Sequence, residues 1–239
     1  MSDDDFDIDS LADYLHLASA QVAKLADRGK LPGRRIGGAW RFSRAEVHHW
    51  LEERIGVSDA DELARVEGAL DRMASAMAEP AVCLAEMLPL EAIEVPLSAR
   101  TRNSVITRMV DVAARTGWLW DPPKMAEAVR SREDLYPTAL ETGVALLHPR
   151  RPMSSILGHA FLSFGRTEGG IPFASQRGSL TDLFFLVCSV DDQGHLRTLA
   201  RLSRLIGREG FLDELRTAPD AHAVRDLVIL RENEMFGGE

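Results

Sequence analysis

A short apolar run that ends on a histidine constrains the fold of this chain more than any other stretch. After Gly143 the residues at 144–147 are all apolar, and His148 and Pro149 follow directly. A fully apolar run after a glycine is typical of a strand that is buried on both faces. His148 would then stand at the carboxyl end of the strand, where α/β proteins usually place their functional groups. The run therefore predicts an α/β fold with a functional histidine at one edge of the sheet.

Composition excludes several classes of protein. The 239 residues are 45% apolar, which allows one large or two modest domains with ordinary cores. Cys83 and Cys188 both have apolar neighbours, so neither a disulfide framework nor a thiolate metal site is supported. No apolar run approaches the roughly 18 residues of a membrane span, and the acidic stretch at 2–5 is unlike the basic opening of a signal peptide. We expect a cytoplasmic globular protein.

Residues 1–54 predict two short helices, a hairpin and a third helix. Helix caps are predicted at Asp9–Ser10, Ser19 and Ser43. Gly29 ends the second helix, and Gly37 and Gly38 form the turn of the hairpin. The hairpin side chains expected to pack inward are Ile36, Trp40 and Phe42.

This order of elements closely resembles the excisionase-like, MerR-related branch of winged helix-turn-helix domains. The resemblance is carried by the segments 29–32, 36–38, 40–42 and 50–51. It implies a small DNA-binding domain over residues 1–54, with DNA as its partner.

The charge of the hairpin region opposes that of the whole chain. The formal net charge is −9, yet residues 24–44 contain Asp27 as their single acidic residue. The basic residues there are Lys24, Arg28, Lys30, Arg34, Arg35, Arg41 and Arg44. Contact with DNA phosphates requires such a local excess, although a solvated face or a protein-binding module is compatible with the same pattern.

Base edges would be read by exposed residues early in the second helix. The candidates are Ser19, Gln21 and Lys24, with Gln21 as the strongest. The full set of predicted DNA-binding residues is Ser19, Gln21, Lys24, Arg28, Arg34, Arg35 and Arg41.

Residues 55–80 predict a helical linker. Apolar residues recur there at steps of three and four, namely Leu63, Val66, Leu70, Met73 and Met77. The stripe is about two heptads long, which is short for a coiled coil. It is compatible with the seam of a homodimer and with a helix packed on its own domain. Pro80 ends the linker and marks the boundary to a second domain over 81–239.

The second domain predicts strands mixed with covering helices. Helices are expected at 84–88, 101–116, 124–131, 196–206, 211–217 and 221–230, and strands at 93–97, 143–148, 156–164 and 183–190. Gly169 and Gly170 are interpreted as a turn. This pattern predicts an α/β sandwich with a mixed sheet.

The segment 143–148 resembles the signature of the enzyme IIA domains of the fructose/mannitol type in the bacterial sugar phosphotransferase system. The preceding helix, the pair Arg132–Glu133 and the run 182–187 that leads to His195 extend the resemblance over the domain. It implies that His148 accepts a phosphoryl group and that His195 orients its ring or binds the phosphate. It also implies that Arg132 compensates the charge. Leu147 stands where the family usually has proline.

The residues agree with this chemistry. Neutral imidazole is a nucleophile at physiological pH and can carry phosphate without an activating base. There is no P-loop, no paired acidic cluster for Mg²⁺ and no metal-ligand spacing, so no cofactor or metal is predicted. By resemblance, the donor is a phosphohistidine protein such as HPr. Arg150 and Arg151 are equally compatible with contacting phosphate and with being solvated.

Three functions fit the sequence. The first is a cytoplasmic DNA-binding regulator in which phosphorylation of the IIA-like domain controls regulation. The second is a IIA component that passes phosphate to the IIB domain of a sugar permease. Both would make the chain a phosphohistidine phosphotransferase. The third is a catalytically silent scaffold bound to DNA.

Overall fold

The computed structural model describes residues 5–15, 17–44, 46–47, 50–51, 82–173 and 178–236. Contacts between residues divide the chain into two compact units, residues 1–81 and 82–239. The predicted linker at 55–80, with its apolar stripe, lies outside the described residues. Among the helices of the described ranges, none is long and apolar enough to cross a membrane.

The N-terminal unit combines two helices with a small antiparallel sheet. Its elements are β1 (Asp5–Phe6), α1 (Ile8–Leu15), α2 (Ser19–Asp27), β2 (Arg34–Ile36) and β3 (Ala39–Ser43). The strand order is β1-β3-β2, and both pairings are antiparallel. The third predicted helix is described at 44, 46–47 and 50–51, and these residues are helical. The predicted order of helices and hairpin is therefore confirmed.

Two helix caps differ from the prediction. Asp7, not Asp9–Ser10, caps α1, because the Ser10 amide donates to Asp7 Oδ1 at 2.8 Å. Ser19 is the first residue of α2 rather than its cap. Ala18 occupies the cap position, and its amide donates to Gln21 Oε1 at 3.1 Å, as a cap amide does to the third helical residue in a capping box.

The hairpin packs through fewer side chains than expected. Gly37 and Gly38 have φ values of 59° and 83°, the left-handed conformations that a tight two-residue turn requires. Phe42 is fully buried and Trp40 is half-buried, as expected for β3. The expectation for Ile36 is wrong, because β2 is an edge strand and this side chain is 54% exposed.

The C-terminal unit is built on a mixed four-stranded sheet. Its strands are β4 (Ile93–Glu94), β5 (Val144–Leu147), β6 (Phe161–Pro172) and β7 (Leu180–Cys188), in the order β4-β6-β7-β5. The pair β6–β7 is antiparallel, whereas β4–β6 and β5–β7 are parallel. The predicted mixed sheet is confirmed.

Helices cover this sheet on both faces. They are α3 (Leu84–Met87), α4 (Arg102–Ala114), α5 (Pro122–Leu135), α6 (Asp192–Ile206), α7 (Phe211–Thr217) and α8 (Ala221–Phe236). On β7, Phe184 and Leu186 join the apolar cluster that contains residues of α4 and α5. The alternating residues Phe185 and Val187 are buried as well. Since neighbouring side chains of a strand point to opposite faces, both faces are covered.

Several boundaries differ from the sequence prediction, and three of them change the interpretation of particular residues. Strand β6 continues to Pro172, and Gly169 and Gly170 lie at an irregularity in its pairing with β7 rather than in a turn. Helix α5 runs four residues beyond the predicted end at 131, so it contains Arg132 and Glu133. Helix α6 begins at Asp192, so His195 lies in its first turn and not ahead of it.

Candidate functional site

The carboxyl ends of two neighbouring parallel strands form the site. In the register of β5 and β7, Leu147 pairs with Leu186, so both strands end at the same edge of the sheet. His148 directly follows β5, and Ser189 directly follows β7. The amide of Met153 donates to the Ser189 carbonyl at 3.0 Å, which joins the loop after His148 to the end of β7.

His148 is buried, and its ring orientation is set by the strand that precedes it. The residue is 3% exposed, and its Nδ1 lies 2.8 Å from the carbonyl oxygen of Leu146. Because a carbonyl only accepts hydrogen bonds, Nδ1 carries the proton in this contact. In the neutral ring, Nε2 then holds the lone pair and is the nucleophilic nitrogen. Leu147, which replaces the usual proline, continues β5 with its side chain in the core.

His195 lies beside His148. Its ring centroid is 5.1 Å from that of His148, with an angle of 55° between the planes. The residue is 2% exposed, and its Nδ1 lies 3.0 Å from Ser189 Oγ. Helix α6 brings His195 here because Asp191, the third residue after the end of β7, caps the helix by accepting from the Gly194 amide at 2.7 Å. The structure thus brings together the two histidines that the sequence singled out.

Arg132 is also buried, at 6% exposure, in the last turn of α5. Its Nη1 donates to the carbonyl of Tyr136, and its guanidinium carbon lies 5.9 Å from the centre of the Tyr136 ring. These contacts hold the guanidinium at the carboxyl end of α5. Arg150 and Arg151 are both exposed.

Glu133 is a buried carboxylate within electrostatic reach of His148. It is 1% exposed and accepts hydrogen bonds from the amide and the hydroxyl of Thr138. Burial raises the pKa of Glu133, while the Thr138 hydrogen bonds and the positive charge of Arg102 act against that shift.

Sequence reasoning assigned no role to Glu133, Thr138 or Ser189. The strand before Ser189 was expected to continue to 190, which placed this serine inside the sheet instead of at its edge. A usable signal was present: Ser189 and His148 are both polar residues at the end of a long apolar run.

The predicted DNA-binding residues lie on the N-terminal unit. The exposed ones are Ser19, Gln21, Lys24, Arg28, Arg34 and Arg35, and Arg41 is half-buried. Carboxylates lie beside the hairpin arginines: Arg34 is 3.0 Å from Asp5, Arg35 is 2.9 Å from Asp27, and Arg41 is 3.9 Å from Asp7.

The Trp40 indole also donates to Asp27 at 3.2 Å, while the Arg35 guanidinium carbon lies 5.0 Å from the centre of the Trp40 ring. One carboxylate therefore orders both an arginine and an aromatic side chain of the hairpin.

Comparison with known proteins gives two family matches. Residues 6–55 match the family described as "Helix-turn-helix domain", and residues 86–230 match "Phosphoenolpyruvate-dependent sugar phosphotransferase system, EIIA 2". The chain thus joins a helix-turn-helix domain to an EIIA type-2 domain.

Two relatives match the C-terminal unit. A nitrogen regulatory protein of Bradyrhizobium diazoefficiens is 33% identical over 145 residues, which cover 59% of this chain and 93% of the relative. The fructose-specific EIIABC component of the Bacillus subtilis phosphotransferase system is 29% identical over 147 residues. The match covers 61% of this chain but only 23% of that component.

Solved structures share the fold. The nitrogen regulatory protein IIA-Ntr of Neisseria meningitidis gives a TM-score of 0.55 at 23% identity and covers 62% of this chain and 99% of its own. IIA mannitol of Escherichia coli gives 0.52 at 18% identity, with coverages of 59% and 97%. The EIIA match at 86–230 spans more than half of the residues and includes both histidines, so the chain belongs to the EIIA 2 family of the phosphoenolpyruvate-dependent sugar phosphotransferase system.

Proposed function

We propose that this chain is a DNA-binding regulator whose IIA domain accepts a phosphoryl group on His148 from a phosphohistidine donor such as HPr. The proposed organisation is a DNA-binding domain at 1–54, a linker at 55–80 and a phosphoryl-accepting domain at 81–239. The observation that supports it most is the pair of buried imidazoles, 5.1 Å apart, with His148 at the end of β5 and His195 in the first turn of α6.

The transfer itself needs only the imidazole of His148, the imidazole of the donor and compensating positive charge. The lone pair of His148 Nε2 forms a bond to phosphorus, and the nitrogen–phosphorus bond of the donor breaks. The donor imidazole keeps that electron pair and leaves. The proton on His148 Nδ1 stays in place, donated to the Leu146 carbonyl. Because positive charge develops on the ring, this hydrogen bond strengthens during the transfer.

His195 and Arg132 are proposed to stabilise the phosphoryl group. Phosphoryl transfer is catalysed mainly by positioning and by electrostatic stabilisation, so a neighbouring imidazole and a guanidinium suit this reaction. Both rings are buried, so a donor protein reaches Nε2 only after the covering side chains move.

Phosphorylation is proposed to regulate DNA binding through charge. A phosphoryl group adds between about −1.5 and −2 charges at neutral pH, which alters the contacts of the surface that carries it. The names of relatives support a regulatory role, since two of them are nitrogen regulatory proteins.

The proposal is tested by incubating the full chain with phosphoenolpyruvate, enzyme I and HPr. We expect acid-labile label on the wild type and none on His148→Ala. The matched control is His222→Ala, which removes an exposed histidine of α8 and should be labelled like wild type. Label that persists in His148→Ala would contradict the assignment of the acceptor.

The same preparation separates the competing functions. Loss or gain of DNA affinity in a gel shift on phosphorylation supports the regulator. Onward transfer of label to a IIB domain, without an effect on DNA binding, supports a sugar-transport component; a complex of mannitol IIA with phosphorylated IIB shares this fold. If the wild type takes up no label, the result supports the third function, a catalytically silent scaffold bound to DNA.

A further inference from the structure

We propose that Glu133 is a positioning residue for phosphoryl acceptance at His148, and that it acts through Thr138 and the backbone of β5. This inference rests on the proposed function.

The first observation is the burial of Glu133. Its residue is 1% exposed, and both carboxylate oxygens accept from the Thr138 amide, at 3.3 and 3.2 Å. The Thr138 hydroxyl donates to Oε1 as well. A buried carboxylate is costly unless hydrogen bonds satisfy it. These three bonds hold the start of the segment 138–140 against the end of α5.

The second observation is that this segment pairs with β5. Ala139 bridges to Ala145 in antiparallel register, and the Leu140 amide donates to the Val144 carbonyl at 2.7 Å. The Leu146 amide donates to the Thr138 carbonyl at 3.5 Å. Position 146 is the residue whose carbonyl binds the His148 ring.

The two observations join into one hydrogen-bonded path. It runs from the Glu133 carboxylate to Thr138, from the Thr138 carbonyl to Leu146, and from the Leu146 carbonyl to His148 Nδ1. The path fixes the direction of the carbonyl that keeps the proton on Nδ1. Since only Nε2 without a proton attacks phosphorus, the path selects the reactive tautomer.

Other charged and titratable groups lie around this hydrogen-bonded path. Arg132 lies next to Glu133 on α5, Arg102 lies at the start of α4, and His195 lies against His148. Glu133 touches no reacting atom in this scheme. It acts on the geometry of the nucleophile, for which a misplacement of about 1 Å can cost about a hundredfold in rate.

The test uses the full chain with ¹⁵N-labelled histidine. Nitrogen chemical shifts of the imidazole report which ring nitrogen carries the proton, and the same samples give the initial rate of labelling by phospho-HPr. We expect the wild type to show the Nδ1–H tautomer of His148. In Glu133→Gln and Thr138→Val, the shifts should move towards a mixture of tautomers, and the rate should fall about tenfold. Thr138→Ser, which keeps the hydroxyl, should fall between Thr138→Val and wild type.

The matched control is Glu232→Gln, because Glu232 is also a buried carboxylate that accepts from backbone amides. It should leave the His148 shifts in place. Unchanged shifts and a rate within twofold of wild type in both Glu133→Gln and Thr138→Val would overturn the proposal. If Glu133→Gln does not fold, as judged by circular dichroism, Thr138→Val decides. A wild type that takes no label refutes the proposed function, while the tautomer measurement still decides the role of Glu133.

Discussion

A single hydroxyl orients the second histidine of the site. Ser189 Oγ is 3.0 Å from His195 Nδ1, and both residues are buried. In Ser189→Ala the ring loses this partner inside the protein, and such a loss typically costs about 1 kcal/mol or somewhat more. We therefore expect a lower free energy of unfolding in urea and slower labelling by phospho-HPr.

Ser203→Ala is the control for this prediction. Ser203 is another buried serine, on α6, and its hydroxyl has no hydrogen-bond partner among the residues described. Its removal should be neutral or slightly stabilising. Equal unfolding free energies and rates for Ser189→Ala and Ser203→Ala would show that the Ser189 hydrogen bond is unimportant.

Glu133 predicts a pH dependence of stability with a definite sign. A glutamate in an unfolded chain titrates near pH 4.3, and burial raises the pKa of Glu133 in the folded protein. Its contribution to stability is then present below about pH 4.3 and is lost as the pH rises through the folded value. Relative to Glu133→Gln, the wild type should lose stability as the pH rises above about 4.3, measured by urea unfolding.

The variant Thr138→Val tests the same pH dependence in a second way. The Thr138 hydroxyl favours the ionised form of Glu133, so its removal should make the loss with rising pH larger. A stability difference between wild type and Glu133→Gln that is flat, or that grows in favour of wild type with pH, contradicts the sign.

For the residues of the site, the sequence predicted which histidines belong to it better than it predicted the contacts around them. His148 and His195 could be found because each follows an apolar run and matches a family pattern. Glu133 and Ser189 could not be assigned roles, because their importance comes from contacts that depend on where α5 and β7 end. Those ends differ from the sequence estimate by four residues at α5 and two at β7.

Among the elements, α8 holds the start of the C-terminal unit. Glu232 accepts from the amides of Leu84 and Ala85 at 2.8 Å each and from Arg201 Nε at 2.9 Å. It therefore joins α8 to α3 and α6. The side chain of Glu232 is 5% exposed and that of Arg201 is 12% exposed, so the carboxylate of the pair is buried.

We expect Glu232→Ala to destabilise the chain by about 2–3 kcal/mol, because the amides of Leu84 and Ala85 lose a buried acceptor. Glu234→Ala, on the same helix, removes a partner of Arg231 that is 38% exposed and should cost at most about 1 kcal/mol. Urea unfolding of both variants checks this. A similar cost for the two would mean that burial of the Glu232 pair does not matter.

Strand β6 shows why element boundaries escaped the sequence. A Gly-Gly pair normally indicates a turn, but a glycine pair also suits a β-bulge, where a strand continues after an irregular pairing. The pairing of Ile171 with Thr181 on the next strand decides between these outcomes, and the Gly-Gly pattern itself does not contain it. Strand β7 was easier, since its buried residues form one apolar run.

For the whole molecule, the charge distribution predicts how DNA binding depends on salt. Lys24 and Arg28 are exposed on the N-terminal unit of a chain whose net charge is −9. If each contacts a phosphate, Lys24→Ala and Arg28→Ala should each lower the slope of log affinity against log salt by about 1. Fluorescence anisotropy with a random-sequence duplex at several salt concentrations measures the slope.

Lys124→Ala is the matched control, since Lys124 is exposed on the C-terminal unit. It should leave the salt slope unchanged. A slope that responds equally to Lys24→Ala and Lys124→Ala would show that DNA contact is not confined to the helix-turn-helix domain.

The sequence predicted the basic region but not the ion pairs that neutralise some of its arginines. Arg34 meets Asp5, which is 29 positions away, and Arg35 meets Asp27, which is eight positions away. Such pairs depend on how β1 and α2 approach the hairpin, so a count of local charges overestimates the positive charge that the hairpin offers to phosphates.

The bond between Glu232 and Leu84 also sets an order of events during synthesis. The two residues are 148 positions apart, so the amides of α3 emerge from the ribosome long before their acceptor has been made. A nascent chain that has not yet reached position 232 leaves those amides without this acceptor. This part of the C-terminal unit can therefore reach its final form only after α8 has been translated.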